Sequence, residues 1–196
     1  TERRREEILV AAAGVFAAKG YHGATTREIA EAADLAEGTI FNYFPTKRDL
    51  LVAVFEQGTE RMREMVLRLD PAVAARPALV ALVVTVLDFY VERRLFVQAI
   101  VAEVWTDPEL LRDRALPRLR RVAGALEHYF RAQIAAGHLR PFDHELVVRL
   151  ILGMMAALVL PIVRGVQPPP SPAERRCLAE SAVDLVLQGI GLPGEA

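Results

Sequence analysis

The sequence predicts an all-α protein of about nine helices in two domains, residues 1–47 and 48–196. Three observations carry that expectation. Proline and glycine fall at boundaries between apolar segments. Within those segments apolar residues recur at helical spacing, and no alternating β-branched run is long enough for a strand. The chain is also 53% hydrophobic with a mean hydropathy of +0.23. That is enough apolar surface for a wide core and a face shared with a second molecule.

The first helix is expected over residues 4–19, where Ile8, Ala12, Val15 and Phe16 form one stripe and Gly20 stops it. Thr25 with Glu28 three residues on is a capping box that opens the second helix, with Ile29, Ala30 and Ala33 on its buried side. DLAEG is a tight turn. Residues 37–44 make a two-turn helix ended by Pro45, because the residue before a proline avoids the α region. Thr46 and Asp49 repeat the capping pattern and open a fourth helix that runs to about residue 69. DPAVAARP (70–77) is the linker. Apolar helices follow over about 78–94, 95–106, 108–137, 143–164 and 172–190, with Pro117 breaking the third into a short and a long piece. PPPSP before the last helix is a stiff connector.

Composition excludes several classes of activity. Net charge is −1 and pI about 6.4, so any nucleic-acid surface is local. Residues 1–48 balance seven basic side chains (Arg3, Arg4, Arg5, Lys19, Arg27, Lys47, Arg48) against seven acidic ones. Cys177 is alone, which rules out an internal disulfide and fits a reducing cytoplasm. His22, His128, His138 and His144 never stand three or four apart, so no metal site is expected. No phosphate loop, nucleophile elbow or paired carboxylates suggest catalytic residues or a cofactor. The most apolar run, 146–163, is interrupted by Arg149 and Pro161, and a membrane span is not expected. The charged start TERRREE lacks a signal-peptide pattern. It begins with Thr rather than Met, so a few preceding residues are expected to be missing.

Two short helices joined by a tight turn, with a helix before and after, form a helix-turn-helix unit whose second helix enters the major groove. The 37–44 helix then needs two faces. Ile40, Phe41 and Phe44 are assigned to the back. Thr39, Asn42 and Tyr43 are assigned to the outside, where hydroxyls and an amide reach bases or phosphates. Lys47, at the start of the next helix, suits a phosphate.

The stretch GYHGATTREIAEAADLAEGTIFNYFPTKRDLL resembles the DNA-binding segment of TetR-type transcriptional regulators. Gly20, Thr25, Thr26, Ile29, Ala30, Gly38, Thr39, Ile40, Phe41, Tyr43, Phe44, Thr46 and Lys47 match at fixed spacing over residues 4–52. The resemblance implies DNA contacts at Thr25, Thr26, Arg27, Glu37, Gly38, Thr39, Asn42, Tyr43 and Lys47. It further implies a ligand-binding and dimerisation domain over 48–196, and repression of a palindromic operator by a homodimer. Three departures bear on it. Asp34 stands where the family's turn glycine does, and Asp tolerates the left-handed conformation. Ala36 replaces a serine cap, and Glu37 occupies a position that is often basic, where its carboxylate faces phosphate or accepts from a cytosine amino group.

In the second domain the apolar surplus points to a pocket for a small apolar or amphipathic effector, with Phe89, Glu103, Trp105, His128, Met154 and Met155 as candidate linings. The last two long helices are apolar over wide arcs. Leu150, Met154, Leu158, Val183 and Val186 are assigned to a four-helix dimer interface. A reading from another class is a helical small-molecule-binding protein with a degenerate head. Ala36, Glu37 and the neutral charge of residues 1–48 favour it.

Overall fold

The boundary signals place the helices closely. The computed structural model describes residues 1–190, and among these every regular element is helical. The order is α1 (Glu2–Gly23), α2 (Thr26–Ala32), α3 (Glu37–Tyr43), α4 (Lys47–Leu67), α5 (Ala75–Glu92), α6 (Arg94–Thr106), α7 (Pro108–Leu110), a π turn (Leu111–Ala115), α8 (Leu116–Ala135), α9 (His144–Val163) and α10 (Pro172–Ile190). Counting α7, the π turn and α8 as one rod gives nine rods among the described residues.

α1 bends at Gly20, whose φ of 69° and ψ of 176° are open to glycine and costly for other residues. The break foreseen at Pro117 takes another form. The Leu116 N–H bonds the Leu111 carbonyl, five residues back. This wider turn directly precedes Pro117, which lacks an N–H and would crowd the carbonyl four residues earlier. The helical path therefore widens and continues.

The described residues pack as two compact units, Thr1–Glu60 with Glu92–Arg118, and Arg61–Val91 with the helices from Leu119 onward. The first unit thus holds α6 and α7 as well as the head, whereas the sequence reading put its boundary after residue 47. In that unit α1 packs on α2 and α6, and α2 on α3. Ile8, Ala12 and Phe16 are buried, as is the Leu50–Leu51 pair of α4. Val15, expected in the α1 stripe, is half-buried.

The second unit has its own core of Val66, Leu79, Leu126, Tyr129, Phe130, Val148 and Val183. Gln133 is fully buried there with its amide satisfied. It donates to the Val73 carbonyl at 2.9 Å and the Tyr129 hydroxyl at 3.0 Å, and its oxygen lies 2.9 Å from His138 Nδ1. Arg76 bonds both Asp184 oxygens, at 2.6 and 2.8 Å, tying α5 to α10.

Candidate nucleic-acid interface and apolar cavity

Local hydrogen bonds shape the α2–α3 pair. The Thr25 hydroxyl accepts from the Glu28 N–H at 3.2 Å, and the Glu28 carboxylate accepts from the Thr25 N–H at 3.0 Å. Lys19 bonds the same carboxylate at 2.6 Å, and that bond is the main reason the Glu28 pKa lies down at about 2. The turn closes as a Schellman motif. Asp34 adopts φ 56°, its N–H bonds the Glu31 carbonyl at 3.2 Å, and the Leu35 N–H bonds Ala30 at 2.9 Å. Ala36 supplies no side-chain cap to α3. Phe44 leaves the helix in an extended conformation ahead of Pro45. Thr46 and Asp49 then exchange bonds at 3.0 and 3.1 Å and start α4.

Ile40 and Phe44, four residues apart, are the buried face of α3 at 1% and 4% exposure. Phe41 does not join them and is 45% exposed, against the expectation that it anchors the helix. At 100° per residue it stands a quarter-turn from Ile40, and a two-turn helix has room behind it for one i, i+4 pair only. Glu37, Gly38, Phe41 and Asn42 thus make the open face, with Thr39 and Tyr43 half-buried on its flanks. Thr25 and Arg27 are exposed beside it, and Arg27 pairs with Glu31 at 3.0 Å. The Thr26 hydroxyl donates to the Glu37 carboxylate, joining the starts of α2 and α3.

Lys47 departs from its expected role. Its ammonium donates to the carbonyls of Tyr21 at 2.8 Å and Ala24 at 2.9 Å, and sits 4.5 Å from the Tyr21 ring centroid. Two of its three N–H donors are spent closing the turn between α1 and α2. The other basic groups of the head are engaged too. Arg3 and Arg4 pair with Glu7, Arg5 lies over Phe44, and Arg48 bonds Glu103 and Asp107.

The second unit contains a cavity of about 130 Å³. Met62 and Val66 of α4, Val83 and Tyr90 of α5, and Met154 and Met155 of α9 are among its walls. Of the six residues that the sequence offered as linings, Met154 and Met155 are on the cavity walls. The other four candidates do not line it. Phe89 is half-buried with its ring edge against Tyr90, Glu103 is paired with Arg48, Trp105 is 68% exposed, and His128 is exposed. Glu103 and Trp105 belong to the first unit, a placement that the apolarity of their helix did not signal. Sequence reasoning missed Tyr90 and the aliphatic run around it. The available signal was LVALVVTVLDFY, which holds more large side chains than one buried stripe uses.

The assigned interface divides. Leu150 is 59% exposed and Leu158 half-buried, but Val183 is buried within the subunit, and Met154, Val183 and Val186 line the cavity. A helix apolar on all sides gives no phase by which to tell its inner from its outer face. The outer stripe of α9 is Leu146, Leu150, Gly153 and Ala157, all exposed. α9 has a mean hydropathy of 2.5 with 22% of the span buried, so by length and composition alone it is long and apolar enough to cross a membrane.

Residues 8–54 match the family described as bacterial regulatory proteins, tetR family, and residues 77–189 match the AefR-like transcriptional repressor C-terminal domain. The HTH-type transcriptional repressor NicS of Pseudomonas putida is 31% identical over 160 residues, covering 80% of this chain and 74% of that one. AcnR, an HTH-type transcriptional repressor of Corynebacterium diphtheriae, is 41% identical over 63 residues, covering 32% of this chain and 33% of its own. Several such relatives are matched over only about a third of their length. Among solved structures, Bacillus subtilis FadR in complex with stearoyl-CoA aligns with a TM-score of 0.69 at 25% identity, covering 95% of this chain and 99% of that one.

Proposed function

The chain belongs to the TetR family of bacterial regulatory proteins, and on that premise we propose that it represses transcription as a homodimer on a palindromic operator, released or recruited by a small apolar or amphipathic effector. The open face of α3 carries the proposal. Gly38 and Asn42 lie opposite the buried Ile40 and Phe44, so a short helix held from behind presents an amide and a bare backbone outward. Thr25, Thr26, Arg27, Thr39 and Tyr43 supply the flanking hydroxyl and guanidinium groups. Phe41 adds an apolar surface suited to a thymine methyl.

The exposed stripe on α9 supports the dimer. Burying Leu146 and Leu150 against a second copy removes an apolar face that a lone subunit leaves in water. Two heads then meet two half-sites about 34–36 Å apart. α4 links the two activities within one element, because Lys47 at its start is bound into the head while Met62 and Val66 wall the cavity. An effector acts only through a difference in affinity between two head arrangements. The relatives are named as HTH-type transcriptional repressors, and a cytoplasmic location follows from the proposed role.

The test is an electrophoretic shift with the DNA upstream of the coding sequence, titrated with salt. A retarded band whose affinity falls as salt rises, with a shallow slope because the cations of the head are already paired, is the expected result. No shift on any inverted repeat, with ligand binding intact, transfers support to the second reading, a helical binding protein with a degenerate head. The uncapped α3 and the Glu37 carboxylate favour that alternative.

A further inference from the structure

We propose that the cavity of the second unit selects a neutral, mostly hydrocarbon molecule with one hydrogen-bonding oxygen, which the Tyr90 hydroxyl binds. The inference rests on reading the cavity as the effector site and deepens it to a ligand class. Among the described residues Tyr90 is the one lining residue whose side chain carries oxygen or nitrogen, the rest being Leu, Val, Ile, Met and Ala. Among the described residues its ring meets Phe89 and nothing hydrogen-bonds its hydroxyl. The side chain is partly accessible, yet burial pushes its phenol above the ordinary value. Both hold together for a group that faces an internal space rather than bulk water. A hydroxyl on the wall of an otherwise apolar cavity offers a directed hydrogen bond, and a ligand oxygen can take it.

Charge is excluded by the same walls. Among the described residues no Lys, Arg or His lines the cavity, so a carboxylate entering it would lose its hydration with no counter-charge in return. Size sets the scale. An engineered cavity of about 150 Å³ in another protein holds benzene, so one ring with a short substituent suits this one. Met62, Met154 and Met155 let the walls adapt to the shape of that substituent.

Calorimetric titration of the full chain with ethylbenzene, acetophenone and benzoate tests the proposal, repeated on Tyr90→Phe. These probes share a ring and differ in oxygen and charge. The intact chain is expected to bind acetophenone about fivefold tighter than ethylbenzene, a difference the hydroxyl alone accounts for. Benzoate is expected to bind at least tenfold more weakly than acetophenone. Tyr90→Phe is expected to bind ethylbenzene as before and lose the preference for acetophenone, with the retained ethylbenzene binding serving as the check on folding. An unchanged preference in Tyr90→Phe overturns the anchor, and benzoate binding as tightly as acetophenone overturns the neutral class. Failure of all three probes removes the cavity as an effector site altogether, which is a separate defeat because it strikes the underlying reading.

Discussion

The head and the cavity unit are built on opposite principles. In the head, named polar groups close each turn, and individual letters decide the outcome: Thr25 with Glu28, Asp34 in the left-handed region, and Lys47 on two carbonyls. In the second unit a cavity arises from many interchangeable aliphatic side chains, and among the described residues a single hydroxyl supplies its polarity. The difference teaches where specificity is written. A head of this kind is read from residue identities, and a cavity of this kind from shape and from which faces its helices turn inward.

The largest expected effect tests the outer face of the second unit against its inner face. Leu150→Asp places a charge on the exposed α9 stripe and does not touch the cavity. Sedimentation should show monomers, and operator affinity should fall about a hundredfold or more as the second head is no longer tethered. Ethylbenzene binding should persist. A dimer that survives the substitution breaks the assignment of this face.

Ile40 and Phe41 sharpen the comparison inside α3. Ile40→Ala should cost about 3 kcal/mol in urea unfolding, since its side chain is 1% exposed. Phe41→Ala should leave stability within about 0.5 kcal/mol and weaken operator binding. The reverse pattern would return Phe41 to the core.

Lys47 and Arg27 separate structural from DNA-facing charge. Lys47→Ala should cost about 1–2 kcal/mol of head stability, because two carbonyls lose their donor, and should leave the salt slope of DNA binding unchanged. Arg27→Ala should flatten that slope by about one unit with stability unaltered. A flattened slope in Lys47→Ala would restore its phosphate role.

The smallest effects concern the α2 cap. Thr25→Ala should cost about 1 kcal/mol in thermal unfolding. Glu28 titrates at about 2 in the folded chain, below its ordinary 4.5. Its stabilising contribution is therefore present above pH 4.5 and fades as pH falls toward 2. Glu28→Gln should remove that part of the acid dependence, and an identical acid profile in the variant counts against the Lys19–Glu28 bond.

The caps and turns were legible because each is closed within three to five residues, so Thr25, Asp34, Thr46 and Pro45 announced their own partners. Phe41 was not, since a seven-residue helix has too few turns for periodicity to settle its third aromatic. Arg48 reaches Glu103 across 55 positions, and no local pattern marks such a pair. Val183 and Val186 were assigned to a second copy because α10 offers apolar residues on several sides. Only packing against the rest of the second unit, seen in the buried Val183, chooses among them.

Every cation of residues 1–48 already has a partner within the protein. Such a head holds little attraction in reserve for arbitrary stretches of chromosome. Its copies would spend their time in free diffusion rather than sliding, and would arrive at the correct address by repeated collision. Few molecules would then be sequestered on the wrong sites, so a small number per cell would suffice, and occupancy would follow the effector without a large reservoir of misplaced copies to buffer it.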